Sequence, residues 1–331
     1  MPARRRLAFV AVIVSCLVLP APEQARAQPW PDKPIRFVCP FPAGGAADAV
    51  TRMLAQKYTE ALGRQVLVDN RAGAGGVIGV ELAAKAPADG YTVLLASSSN
   101  FAFGPSLEAT LPYNPQRDFA PVALAVMVPN ILVAHPSVPV QTVKDLIQLA
   151  KGAPGTITFA SPGTGTTSHI IGELFAHSAG IRLMHVPYKG GAPAANDLLG
   201  GHVQLLFGAI STSLPQIKAG KLKGLGVTSA KRSDAAPEIP TLAESGLPGF
   251  EVVQWFGVAV PAATSAAIVD RLNGETMRAI AAADFREGLN RQGLDAAVPN
   301  TPRQFSLYIR DELARWTRFF KDAGLKLEQL R

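Results

Sequence analysis

Ile35-Arg36-Phe37-Val38-Cys39-Pro40-Phe41-Pro42-Ala43-Gly44-Gly45-Ala46-Ala47-Asp48 is the stretch from which the fold can be read. Ile35 to Val38 has the composition of a buried strand, and Pro40 to Gly45 reads as the loop that ends it. From Ala46 onward, apolar residues recur at helical spacing through Val50, Met53, Leu54, Tyr58 and Leu62, and Gly63 stops the helix.

The strand–loop–helix unit repeats outward from there. Val66 to Val68 is a second strand, followed by the Gly-rich turn 73–76 and a helix to about Lys85. Tyr91 to Ala96 is a third strand, ending in Ser97-Ser98-Ser99-Asn100. The pattern restarts with a helix over Thr142 to Lys151, a strand over Thr156 to Ala160, the loop 161–166 and a helix from Ser168 to Ala179. Strands at Arg182 to Val186, Val203 to Phe207 and Leu222 to Thr228 follow, with a helix over Ala194 to Leu199. Such alternation predicts parallel α/β sheets. The length exceeds one ordinary core, so the reading is two α/β lobes around a ligand cleft. Two extended apolar stretches, 122–134 and 252–260, are the expected crossing strands. The division is residues 28–128 plus 255–331 for lobe 1 and 129–254 for lobe 2. The tail from Ala266 to Leu330 reads as mostly helical, with Trp316, Phe319 and Phe320 packing onto a lobe.

The N-terminus sets the expected compartment. Arg4, Arg5 and Arg6 precede an apolar run from Leu7 to Leu19, and Ala25-Arg26-Ala27 supplies the small residues that a signal peptidase requires. Residues 1–27 therefore read as a cleaved signal peptide directing the chain to the periplasm, since the run is too short for a membrane span. Ile13-Val14-Ser15-Cys16 offers lipid anchoring at Cys16 as the lesser alternative. Loss of the signal lowers the net charge from +7 to +4, because four arginines and Glu23 leave with it. The remaining Lys and Arg are scattered and form no run or face, which argues against nucleic acid and suits capture of small anions. Cys39 alone survives processing, and the five histidines show no metal-ligand spacing, so neither a disulfide nor a metal is expected.

Ligands of open α/β sheets sit at the carboxyl ends of strands, beside helix N-termini. Two loops have that place, one per lobe: Phe41, Ala43, Gly44 and Gly45 in the first, and Ser161, Gly163, Thr164, Gly165 and Thr166 in the second. Glycines let the backbone approach a ligand, and exposed N–H groups at the positive end of a helix dipole favour an anion. Asp48 has two readings: a first-turn acid that stabilises its helix, or an acceptor for a ligand amine or amide. Ser97, Ser98 and Asn100 suit a carboxylate, or else satisfy the backbone of a turn. Tyr188 could form a floor or lid, with Lys189 beside it.

Ser168-His169 invites a hydrolase reading, but adjacent helical residues point about 100° apart and cannot bond as nucleophile and base. G-x-S-x-G, G-x-G-x-x-G and the phosphate-loop pattern are all absent, so no cofactor and no catalytic group is expected. Ser168 and His169 are retained as cleft-wall residues.

Several motifs in order resemble one family. Trp30-Pro31-Asp32-Lys33-Pro34-Ile35-Arg36 leading into Phe41 to Asp48 looks like the opening of mature Bug-type proteins, the extracytoplasmic solute-binding receptors of tripartite tricarboxylate transporters. Asn70-Arg71-Ala72-Gly73-Ala74-Gly75-Gly76, Ser161 to Gly165 with Ser168-His169, His185-Val186-Pro187-Tyr188-Lys189-Gly190 and Pro240 to Gly246 resemble further signatures. Ala72, where Pro is more usual, is a small departure away from the proposed site. The resemblance implies a type II periplasmic binding protein whose loops 41–45 and 161–168 bind a ligand carboxylate through backbone N–H groups and ordered water. It also implies a monomer that passes a small carboxylate, amino-acid or amide ligand to integral-membrane subunits. The alternatives are a sensor docking on a receptor kinase and a periplasmic hydrolase using Ser168.

Overall fold

In a computed structural model that describes residues 30–107, 110–233 and 235–322, β1 (Ile35–Cys39) runs through the loop 40–45 into α1 (Ala46–Leu62). The signal-peptide, cleavage and Cys16 readings lie outside those residues. Ile35, Phe37, Val38 and Cys39 are all fully buried, as a parallel strand covered on both faces requires. Gly63 ends α1 in the left-handed conformation, φ 65°, and its N–H closes on Thr59 O. β2 (Val66–Asn70), a 3₁₀ turn (Ala74–Gly76), α2 (Val77–Ala84) and β3 (Thr92–Ser97) follow, and β1 lies between β2 and β3, parallel to both.

The chain after β3 differs from the expected loop. Ser99–Phe103 forms a π-helical turn that continues into α3 (Gly104–Leu107). The cause is burial: Phe101, Ala102 and Phe103 are all inaccessible, so this segment belongs to the core.

β4 (Phe119–Ala134) is the long strand of the molecule. α4 (Val143–Gly152), β5 (Thr158–Ser161), α5 (Thr167–Ala179), β6 (Met184–Pro187), α6 (Gly191–Leu199), β7 (Leu205–Ala209), α7 (Ile210–Lys218) and β8 (Lys223–Val227) build the second half. β9 (Val253–Pro261), α8 (Ala266–Ala281), α9 (Ala283–Asn290), β10 (Asp295–Ala296) and α10 (Pro302–Asp322) return to the first. The strand order is β2-β1-β3-β9-β4-β7-β5-β6, with β8 and β10 also on β4. β4 pairs with β9 from Phe119 to Pro129, and with β7 and β8 from Asn130 and Ile131 onward. The stretches expected to cross are thus β4 and β9. Register shifts at Pro121/Ala123, Leu124/Val126 and Leu132/Val133 bend β4 as it passes from one half to the other.

The tail packs on both halves. Phe305 and Ile309 join a cluster with Trp255, whereas Trp316 and Phe320 join one with Phe175, Phe207 and Phe250. Trp316 meets Phe103 edge-on at 4.7 Å, and its indole N–H donates to Glu312 Oε2 at 3.0 Å. Truncating so large a buried ring leaves a cavity, so Trp316→Ala is expected to lower stability by about 3–5 kcal/mol. Urea unfolding checks this, and a loss below about 1 kcal/mol, ordinary for a surface change, would show that α10 does not anchor the two halves.

Candidate functional site

Both candidate loops sit where a parallel strand hands over to a helix. In the first, Ala43, Gly44 and Gly45 are exposed, and the Phe41 ring meets Phe256 edge-on at 6.5 Å. Gly44 has φ 86°, a region that favours glycine, and a Cβ added to either Gly44 or Gly45 would meet nothing within 4 Å. Gly45 is the N-cap of α1, and no side chain caps that helix.

Asp48 lies beneath this loop at 5% exposure. Its Oδ2 accepts from the Gly44 N–H at 2.9 Å and from Arg52 Nε at 3.0 Å, and its Oδ1 accepts from Asn70 Nδ2 at 2.9 Å. Asn70 Nδ2 also donates to Phe41 O at 3.1 Å, so the loop is held at both ends. Burial pushes the Asp48 carboxyl up, but the bonds from Arg52, Gly44 and Asn70 outweigh it and hold the group below the usual carboxylate range. Asp48 is therefore ionised, with Arg52 beside it as counter-charge.

Ser97, Ser98 and Asn100 form a lock, not an open surface. All three are at most 2% exposed. Ser97 Oγ donates to Asn100 Oδ1 at 2.6 Å, and Asn100 Nδ2 donates to Gly75 O at 3.0 Å. Ser98 Oγ accepts from the Trp255 N–H at 3.4 Å. The carboxamide sits so close to the Gly-rich turn that a Cβ on Gly76 would lie 2.7 Å from it. Ser99, which sequence reasoning passed over, reaches the other half: its Oγ is 3.0 Å from Thr167 Oγ1, at the start of α5.

The second loop is organised from within. Ser161 Oγ donates to Gly163 O at 2.9 Å, accepts from the Gly163 N–H at 3.1 Å and lies 2.6 Å from His185 Nε2. Thr166 Oγ1 donates to Gly163 O at 2.7 Å, and the Gly165 N–H donates to His169 Nδ1 at 3.1 Å. Gly163 and Gly165 have φ 147° and 75°. Thr164 is half-buried, and Thr166 is the N-cap of α5, which no side chain caps. By contrast α4 starts with a full capping box made by Thr142 and Asp145.

The two loops share a construction. In each, a glycine N–H donates to a side chain four residues on, Gly44 to Asp48 and Gly165 to His169. The acceptor is charged in the first loop and an imidazole nitrogen in the second.

Ser168 Oγ donates to Phe207 O, and His169 Nδ1 is taken by Gly165, so the two do not form a nucleophile–base pair. Tyr188 OH donates to Asp197 Oδ2 at 2.6 Å, and burial, reinforced by Asp197, pushes the phenol up to about 12. Among the described residues no cluster could hold a metal ion, and no helix is long and apolar enough to cross a membrane. Asn70, Arg52 and His185 were not singled out in the sequence as site residues. Asn70 ends β2 in register with Cys39, a pairing that only the structure shows.

Residues 50–325 match the family model described as the tripartite tricarboxylate transporter family receptor. Protein BugT of Bordetella pertussis is 38% identical over 325 residues, covering 98% of this chain and 99% of its own. The Rhodopseudomonas palustris protein Rpa4515, solved with adipate, superposes with a TM-score of 0.83 at 35% identity, over 90% of this chain and 99% of its own. MatC from the same organism, solved with malate, gives 0.79 at 28% identity, over 87% and 99%. The architecture is that of a periplasmic binding protein, two α/β lobes around a cleft joined by two crossing strands, and the relatives are solute-binding receptors rather than enzymes. The chain belongs to the receptor family of the tripartite tricarboxylate transporters, among the Bug proteins.

Proposed function

We propose that this protein is exported to the periplasm, captures a small carboxylate-bearing metabolite between its two loops and delivers it to integral-membrane transporter subunits. The observation that carries the reading is the pair of glycine loops leading into helices without side-chain caps, one in each half, with the second helix touching the first half where Thr167 meets Ser99. Orphan N–H groups at a helix start favour an anion. The adipate and malate held by Rpa4515 and MatC support a carboxylate. In this reading residues 28–128 with 255–331 and residues 129–254 close as two lobes on β4 and β9. Gly44, Gly45, Thr164, Gly165 and Thr166 meet the ligand, while Asp48 clamps its loop. The Arg52 charge 3.0 Å from Asp48 offsets what would otherwise repel the ligand.

A ligand that binds only the folded state stabilises it by about 2.7 kcal/mol at a hundredfold excess over Kd. A thermal-shift panel of small di- and tricarboxylates, amino acids and amides should therefore yield at least one strong carboxylate hit. A flat response across the panel would overturn the reading.

Gly45 gives a cleaner test of the first loop than Gly44, because its backbone is extended at φ −93°. Gly45→Val should fold at a cost of about 1 kcal/mol or less. Its side chain would occupy the space before the helix and abolish binding of the panel hit. Calorimetric titration at wild-type affinity would exclude this loop as the contact.

Asp48→Asn separates clamp from contact. A depressed carboxyl contributes stability that is full above its unfolded pKa, about 4, and is lost as pH falls through the lower folded value. The variant should be less stable at pH 7 by about 1.5 kcal/mol, discounted for the half-exposed Arg52, and the gap should close in acid. Unchanged stability with a tenfold weaker Kd would instead make Asp48 a ligand acceptor.

A further inference from the structure

Beneath the second loop lies a stack of rings. His169, on the first turn of α5, is 1% exposed, and its ring lies 3.7 Å from that of His185 on β6 at an angle of 10°. His185 rests in turn on Phe159 of β5, centroid to centroid 4.9 Å. Each imidazole reaches the loop through one nitrogen. His169 Nδ1 accepts the Gly165 N–H at 3.1 Å, and His185 Nε2 lies 2.6 Å from Ser161 Oγ. Ser161 Oγ passes the constraint on, since it bonds both the N–H and the carbonyl of Gly163.

The arrangement requires uncharged rings. His169 Nδ1 can accept only without a proton, which leaves the ring proton on Nε2, 3.7 Å from Glu173 Oε1 of the same helix. Two imidazolium rings face to face at this separation would repel. Burial, with His169 adding to it, holds His185 down to about 3.

We infer that His169 and His185 are positioning residues, a neutral stacked prop whose ring nitrogens, bonded to the Gly165 N–H and to Ser161 Oγ, hold loop 161–165 in the conformation that receives the ligand carboxylate. The inference deepens the carboxylate-capture reading and rests on it. His169 then acts from behind the loop and not as a contact of the ligand. Its Nδ1 is the functional atom, so a neutral acceptor at that point should replace it. The Asn Oδ1 stands near the place of Nδ1, whereas Leu fills similar space without an acceptor.

The test has two arms, on variants shown to be folded by circular dichroism and melting. In the ligand-free protein, amide hydrogen exchange at Gly165 should be at least tenfold faster in His169→Leu than in wild type, and largely restored in His169→Asn. With adipate and malate as probes, His169→Leu should raise Kd at least tenfold, and His169→Asn should stay within threefold. Should His169→Leu fail to fold, His185→Phe and His185→Gln make the same comparison for Nε2, read at the Gly163 amide. Unchanged exchange at the loop amide overturns the prop, and so does faster exchange with unchanged Kd. If wild type binds neither probe nor any other carboxylate, the capture reading fails, and the exchange arm alone decides whether the rings hold the loop.

Discussion

The backbone pairing of β4, with β9 as far as Pro129 and with β7 and β8 beyond it, is the constraint on which the rest of the molecule depends. At the changeover, Asn130 and Thr228 bond reciprocally: the Asn130 N–H donates to Thr228 Oγ1 at 3.1 Å, and the Thr228 N–H donates to Asn130 O at 2.8 Å. The Val252 N–H then donates to Thr228 O, just before β9 begins. Both crossing strands are thus tied at one buried point. On either side of this point, parallel strands lead through glycine loops into helices, β1 into α1 and β5 into α5.

Those loops answer a physical difficulty. In the capture reading a loop that meets a ligand must be held still, because an ordered loop forfeits less entropy on binding. Here the holding is done from underneath. Asp48 with Asn70 and Arg52 secures the first loop, and the ring stack with Ser161 secures the second. The outer face of each loop is left to glycine. The acceptors differ in charge, so the first loop has Arg52 beside its carboxylate as counter-charge and the second needs none.

Much of this was legible in the chain. The strand ending in Pro40, the helix from Ala46 and the loop between them follow from periodicity and glycine placement, and observed bounds fall within a few residues of the expected ones. The first crossing stretch was marked by Pro129 inside an apolar run, since proline interrupts a ladder. The π-helical turn after β3 was not legible, because Ser97-Ser98-Ser99-Asn100 carries the composition of a surface turn. Burial of Phe101 and Phe103 overrides that local preference.

By itself, then, the sequence determined the strand–loop–helix units, the doubled glycine loops and the absence of any motif for covalent chemistry, all of which are local and follow from backbone sterics and side-chain period. Only the tertiary structure decided which polar groups bond to one another. Asn100, read in the sequence as a carboxylate contact or a turn residue, has its carboxamide on Ser97 and on Gly75, 25 residues away. His185 became part of the second loop because strand register sets it opposite Phe159 and stacks it on His169. Ser99 and Thr167, 68 residues apart, met between the two halves. A hydrogen bond between such groups depends on their positions in space, and register and packing, not spacing along the chain, set those positions.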